Sequence, residues 1–255
     1  MKFMRETYID AEEAAFFTRI YWSAPEDPER EKIVLVPGLG MSGAYMQPLA
    51  EELSDRYIVY VPELPGFGSS SKPRHVLTIP ELADALHNWA RALPLERAWY
   101  IGNSAGCQVI TDLAVHYTHL IKGAVLQGPV IDPYRRHAAL QLLLFGKLAL
   151  YEPASQIRIL IKDYMRCGIG RVIKTFKYSL QYKIEDYLPL MKVPAVVVWG
   201  EHDKLVSQQW AKEAAALLPD GRLITIANEA HTVNFTAPRL LAKITADFIE
   251  SKQSL

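Results

Sequence analysis

Six short runs of β-branched and other apolar residues recur along this 255-residue chain, and each is followed by a stretch with helical spacing. They fall at residues 33–36, 57–61, 98–101, 124–126, 195–199 and 223–226. Their apolar character is nearly continuous instead of alternating, the pattern of parallel strands whose two faces are both covered by helices. Amphipathic helix candidates lie between them, around residues 43–54, 80–92, 105–117, 207–218 and 237–250. This β-α alternation predicts the α/β class, with a doubly wound, mostly parallel sheet. Ahead of it, residues 7–9 and 14–22 carry aromatic and β-branched side chains about a polar turn, which predicts an antiparallel entry hairpin.

The alternation breaks once: from residue 131 to residue 190 no strand run intervenes, and the stretch reads as several helices rich in Leu, Ile, Tyr and basic residues. The expected organisation is therefore a core of residues 1–130, a helical insertion of residues 131–190, and a second core part of residues 191–255. An insertion between two parallel strands sits at their carboxyl edge, where α/β ligand sites form, so a lid is expected there. At this length, with 50% hydrophobic residues, a single core is affordable. Zero formal net charge and the lack of any charge run argue against a nucleic-acid partner. Residues 1–6 lack the apolar stretch of a secretory signal, and no uninterrupted apolar run matches a bilayer, so a cytoplasmic protein without a membrane partner, monomeric or homodimeric, is expected. The two cysteines, Cys107 and Cys167, have no ligand-spaced neighbours, and no metal site is expected.

Chemistry concentrates where these runs end. The run at 98–101 enters Gly102-Asn103-Ser104-Ala105-Gly106, a strand-to-helix turn that would aim a serine at solvent and place the Ala105 N–H at a helix start, where it can bind an oxyanion. Gly102 and Gly106 give the turn its room. A serine nucleophile needs a base, and the base needs a carboxylate to orient it. The run at 195–199 ends at Gly200-Glu201-His202-Asp203, and the run at 223–226 ends before Glu229-Ala230-His231. Ser104, Asp203 and His231 appear in the chain order expected for this turn, with Asp132 as the rival acid. The turn Pro37-Gly38-Leu39-Gly40 offers the Leu39 N–H as a second oxyanion donor. Cys107 reads as a small buried residue beneath the turn, or as a second nucleophile.

These segments together resemble the α/β-hydrolase superfamily, in the compact branch with a helical cap. The likeness also rests on Glu63-Leu64-Pro65-Gly66-Phe67-Gly68-Ser69 and on Ala237-Pro238 after His231. It implies an eight-stranded α/β-hydrolase sheet and a cofactor-free serine hydrolase in which Ser104 is nucleophile, His231 base, Asp203 acid, and the amides of Leu39 and Ala105 the oxyanion hole. Members of the branch usually carry His at the position of Pro37, Asp at that of Glu63, and Gly at those of Cys107 and Ala230. Met41, Val130, Phe145, Tyr164, Leu205 and Val233, with Leu39, form a candidate apolar pocket that suits carboxylic esters as small-molecule substrates. Basic residues outnumber acidic ones about twofold in the insertion, Arg158, Lys162, Arg166, Arg171, Lys174 and Lys177 among them; they read as a solvated face or as a site for an anionic substrate or carrier. Carbon-carbon bond hydrolysis, thioester hydrolysis and a non-catalytic receptor remain as rival functions.

Overall fold

Strand β5 (Ala98–Asn103) lies fully buried near the middle of one eight-stranded sheet, in the order β1-β2-β4-β3-β5-β6-β7-β8. The others are β1 (Lys2–Ala11), β2 (Ala14–Ser23), β3 (Lys32–Val36), β4 (Ile58–Pro62), β6 (Ile121–Gln127), β7 (Ala195–Gly200) and β8 (Gly221–Ile226). This is a computed structural model; it describes all residues except Glu13, Glu26, Pro28, Pro94, Glu96, Ser254 and Leu255. The hairpin β1-β2 is antiparallel and joins β4 antiparallel, whereas β3 to β8 pair in parallel. Both hairpin strands run ten residues, well beyond the expected 7–9 for the first. Its outer strand is mostly exposed, so hydrophobicity alone under-reports its length.

Alternation along the strands builds two cores. Val34, Val36 and Tyr100 point to one face, while Ile33, Leu35, Trp99 and Ile101 point to the other. The first face is covered by α2 (Ile79–Arg91), α3 (Ala105–His116) and α8 (Gln208–Leu217), through Leu82, Leu86, Ile110 and Trp210. The second is covered by α1 (Gln47–Leu53) and α10 (Pro238–Gln253), through Leu49, Leu53, Leu241 and Phe248. The expected helix at 43–54 divides, residues 43–46 forming a tight 3₁₀ turn before α1. Each such large apolar side chain contributes about 1.5–3 kcal/mol on burial, so both sheet faces are firmly held.

Between β6 and β7 the chain forms α4 (Ala138–Leu148), α5 (Ala154–Cys167), α6 (Ile169–Gln181) and the short α7 (Ile184–Tyr187), with no strand among them. The one-turn α9 (Val233–Thr236) follows β8 and the loop that carries His231. Among the described residues, no helix is long and apolar enough to cross a membrane.

Candidate active site

The turns after β3, β5, β7 and β8 all leave the same carboxyl edge of the sheet, and they bring together residues far apart in sequence. Ser104 caps α3 with φ 57° and ψ −122°, a left-handed conformation that a non-glycine residue adopts only when its surroundings hold it. What holds it is the tight crossing of α3 over β3. A Cβ on Gly106 would lie 2.3 Å from the Val36 carbonyl oxygen, so only glycine lets the helix pass this close. Cys107 lies fully buried below the turn, its Sγ 3.2 Å from the Gly102 carbonyl oxygen, and burial drives its thiol far above the ordinary range. That environment suits packing and disfavours a thiolate.

Asp203 and His231 meet at the centre of the site. His231 Nδ1 lies 2.7 Å from Asp203 Oδ2, and both side chains are buried. The other carboxylate oxygen of Asp203 accepts the backbone N–H groups of Leu205 at 2.8 Å and Val206 at 3.1 Å, which fixes the plane it presents to the imidazole. Burial pulls the His231 pKa down, but the charge and hydrogen bond of Asp203, aided by Glu152, outweigh it and hold the ring above its ordinary value. Nε2 of His231 is buried with no hydrogen-bond partner among the described residues, and both His231 and Ser104 line one cavity. Asp132, the rival acid, is occupied elsewhere: its carboxylate accepts Tyr134 N–H at 2.9 Å and Ser207 N–H at 3.2 Å, a turn cap.

A buried polar chain ties the three turns together. The Gly38 N–H donates to the Tyr45 hydroxyl at 2.6 Å, and that hydroxyl donates to Asn103 Oδ1 at 3.1 Å. Asn103 Nδ2 donates to the His231 carbonyl at 3.1 Å, as does Gln127 Nε2 at 2.8 Å. The Leu39 turn, the serine turn and the histidine loop are thereby fixed relative to one another, which is what preorganised chemistry requires. Leu39 and Ala105 both line the cavity beside Ser104. Glu63, where the resembled branch usually has Asp, is fully buried; it pairs with Arg19 at 2.6 Å and accepts the Gly43 N–H at 2.9 Å, bracing the segment just past the Leu39 turn.

The cavity holds about 210 Å³. Of the expected pocket residues, Met41, Val130, Phe145, Tyr164 and Leu205 line it, and the Phe145 and Tyr164 rings stack at 6.3 Å. Val233 does not: it is wholly buried in the second core, because α9 turns its side chain under the sheet edge. Its neighbour Thr232 faces the cavity instead.

Sequence reasoning missed the polar lining supplied by the inserted helices. Gln141, Gln156 and Ser179 reach the cavity from α4, α5 and α6. Glu152, between α4 and α5, accepts the backbone N–H groups of His231 and Thr232 at 3.1 Å each, and the Thr232 hydroxyl donates to it as well. Burial raises its carboxyl above the ordinary range, against the downward pull of the Thr232 hydrogen bonds. Asp163 on α5 accepts the N–H and hydroxyl of Ser42 at 2.8 Å and 2.7 Å. No motif flags either acid, since each acts on backbone some 80 or more residues distant in sequence.

The chain is similar to known proteins over most of its length. The alpha/beta hydrolase family model matches residues 33–244. The chain is 36% identical over 255 aligned residues to a pimeloyl-[acyl-carrier protein] methyl ester esterase of Vibrio cholerae, covering 90% of this chain and 97% of that one. It is 25% identical to the hydrolase YugF of Bacillus subtilis, covering 91% and 94%. The solved structure of a bacterial membrane phospholipase A superposes with a TM-score of 0.84 at 18% identity, over 99% of this chain and 87% of that one, a likeness of fold. With a family match across most of its length and hydrolases throughout its relatives, this chain is an enzyme belonging to the alpha/beta hydrolase family.

Proposed function

We propose that the chain is a serine hydrolase that cleaves carboxylic esters with small to medium apolar groups through an acyl-enzyme. The observation that carries the reading is the buried His231–Asp203 pair, whose Nε2 has no partner among the described residues and whose histidine lines the same cavity as the strained Ser104. In this reading Ser104 Oγ attacks the ester carbonyl as its proton passes to His231 Nε2. The imidazolium is stabilised by Asp203, and the N–H groups of Leu39 and Ala105 take the developing oxyanion. Collapse breaks the carbonyl–alkoxide bond, and the proton moves from His231 to the departing alcohol. Water then attacks the acyl-serine by the same route, releasing the acid and restoring Ser104. Helices α4 to α6 act as the cap over this cavity, adding Phe145 and Tyr164 to its apolar wall and Gln141, Gln156 and Ser179 to its polar lining. The methyl ester esterase among the relatives supports the ester reading.

The decisive experiment pairs a fluorophosphonate probe with a panel of p-nitrophenyl esters from acetate to decanoate, using Ser104→Ala as the blank. Labelling confined to Ser104, and a loss of roughly four to six orders of magnitude in kcat for Ser104→Ala, is the expected result. Retained turnover in that variant would refute the assignment, and a coenzyme A thioester or a vinylogous diketone cleaved faster than every ester would move the reaction to thioester or carbon-carbon hydrolysis.

A further inference from the structure

The outer face of α4, α5 and α6 is unlike the rest of the surface. Nine of the sixteen exposed large apolar side chains among the described residues lie between positions 138 and 181. Leu150 is 83% exposed, Met165 74% and Leu142 62%, with Leu143, Ile161 and Ile173 also at or above half. A monomeric soluble surface scatters such residues singly, and a concentration of them marks a site of contact. Two of them, Leu142 on α4 and Ile173 on α6, also line the cavity that holds Ser104. The exposed apolar face is therefore continuous with the mouth of the active site.

Charge identifies what covers it. The same span carries seven lysines and arginines against two acids, Glu152 and Asp163. Both acids are turned inward onto the His231 and Ser42 backbones, so neither offsets the outer face. Lys147, Arg158, Arg166, Lys174 and Lys177 form no ion pair with any described residue, and they interleave with the exposed leucines, isoleucines and methionine along the three helices. A second copy of this chain fits poorly, because a two-fold contact would press cation on cation. A surface that is apolar inside and anionic outside answers both features at once, as it does for helices that lie in a bilayer interface.

We propose that the α4–α6 face docks on an anionic lipid surface, with its leucines and methionine in the acyl layer and its lysines and arginines at the headgroups, so that the cavity mouth opens toward the lipid. Docking is peripheral and needs no spanning segment. It departs from the expectation of no membrane partner, which weighed apolar runs along the chain and not the exposure of a folded face.

The test measures binding apart from turnover, so it stands or falls separately from the ester reading. The 255-residue Ser104→Ala chain is sedimented with vesicles of phosphatidylglycerol and phosphatidylcholine, and with vesicles of phosphatidylcholine alone. The expected result is a partition onto the anionic vesicles at least tenfold stronger, falling steeply between 0.05 and 0.5 M salt, at about one Debye length or less of reach. Leu143→Gln with Leu150→Gln, neither of which lines the cavity, should weaken it about tenfold while leaving hydrolysis of a soluble short-chain ester by the Ser104 form unchanged. That retained activity shows the variant folded. The proposal is overturned if anionic vesicles are not bound at low salt, if the double variant binds as the parent does, or if the same substitutions instead dissociate a lipid-free dimer. Salt-sensitive binding of an acidic acyl-carrier protein without vesicle binding would overturn it equally.

Discussion

Gly128 stands at the end of β6 with φ 57°, directly against the proposed base. A Cβ there would lie 2.9 Å from both Cε1 and Nδ1 of His231, and 3.2 Å from Asp203 Oδ2. Ordinary contact is about 3.5 Å or more, so a methyl group demands a shift of about 0.6 Å. The ring cannot simply swing away, since its 2.7 Å bond to Asp203 and the two hydrogen bonds on its own carbonyl hold it from opposite sides. Gly128→Ala thus forces the ring out of a geometry that tolerates about 0.5 Å, and a misplacement near 1 Å costs roughly 10²-fold. The expected loss in kcat for a p-nitrophenyl ester is about 10- to 100-fold. The left-handed backbone adds about 1–2 kcal/mol of strain, or a fall in Tm of a few degrees for a chain of this length. Steady-state kinetics beside a calorimetric scan separate the two effects. A folded Gly128→Ala enzyme with kcat within threefold of the parent would refute the assignment of the His231–Asp203 pair as the working base, because the nearest atoms a Cβ there would meet are those of that pair.

Asp203→Asn should keep the fold but lower kcat by about 10⁴, since the amide can fix the wrong imidazole tautomer; a drop below tenfold would show that the carboxylate is not the orienting acid. Because His231 is held above its ordinary pKa of 6.5, it stays protonated to a higher pH, so kcat/KM should be lost on acidification with a limb above pH 6.5. Glu152→Gln keeps an acceptor for the His231 and Thr232 N–H groups but removes a charge that raises His231, so that limb should move to lower pH, and a limb that stays or rises would count against the coupling. Glu63→Ala leaves Arg19 without its buried partner, though Glu6 still pairs with it at 3.0 Å; a cost of about 3 kcal/mol follows, readable as a fall in Tm of about 10 °C.

The sheet and the serine turn were legible because each is local. Strand runs of three to five apolar residues and a glycine on either side of Ser104 are encoded within a few positions, and backbone sterics permit little else there. The candidate partners of Ser104 were legible by a weaker rule, chain order at strand ends, and that rule left Asp132 open until its carboxylate was seen capping the turn at Tyr134. Val233 misled because an apolar residue two places from a histidine in a cavity reads as lining. His231 and Thr232 lie in the loop before α9, and Val233 is the first residue of the helix, so the chain turns between them, sending Val233 into the core and leaving Thr232 at the cavity. Glu152 and Asp163 were illegible in principle, since a charged residue in a helix connection or on an amphipathic helix reads as surface until the tertiary packing supplies the backbone N–H groups it accepts.

Those two acids also join the inserted helices to the chemistry. Glu152 holds the loop of His231, and Asp163 holds Ser42, just past the Leu39 turn. The inserted helices are thereby tied both to the loop of the proposed base and to the segment that follows the turn of the proposed oxyanion donor. The same use of its acids leaves the outer face of α4 to α6 with cations alone beside its exposed leucines. If that face settles on an anionic surface, any force it transmits reaches His231 through Glu152, and Glu152→Gln should then loosen the link between vesicle binding and turnover without weakening vesicle binding itself. Sedimentation and ester kinetics on one preparation, run at a pH well above the acidic limb, distinguish this from a passive tether, for which vesicles would change turnover by the same factor in the parent and in Glu152→Gln.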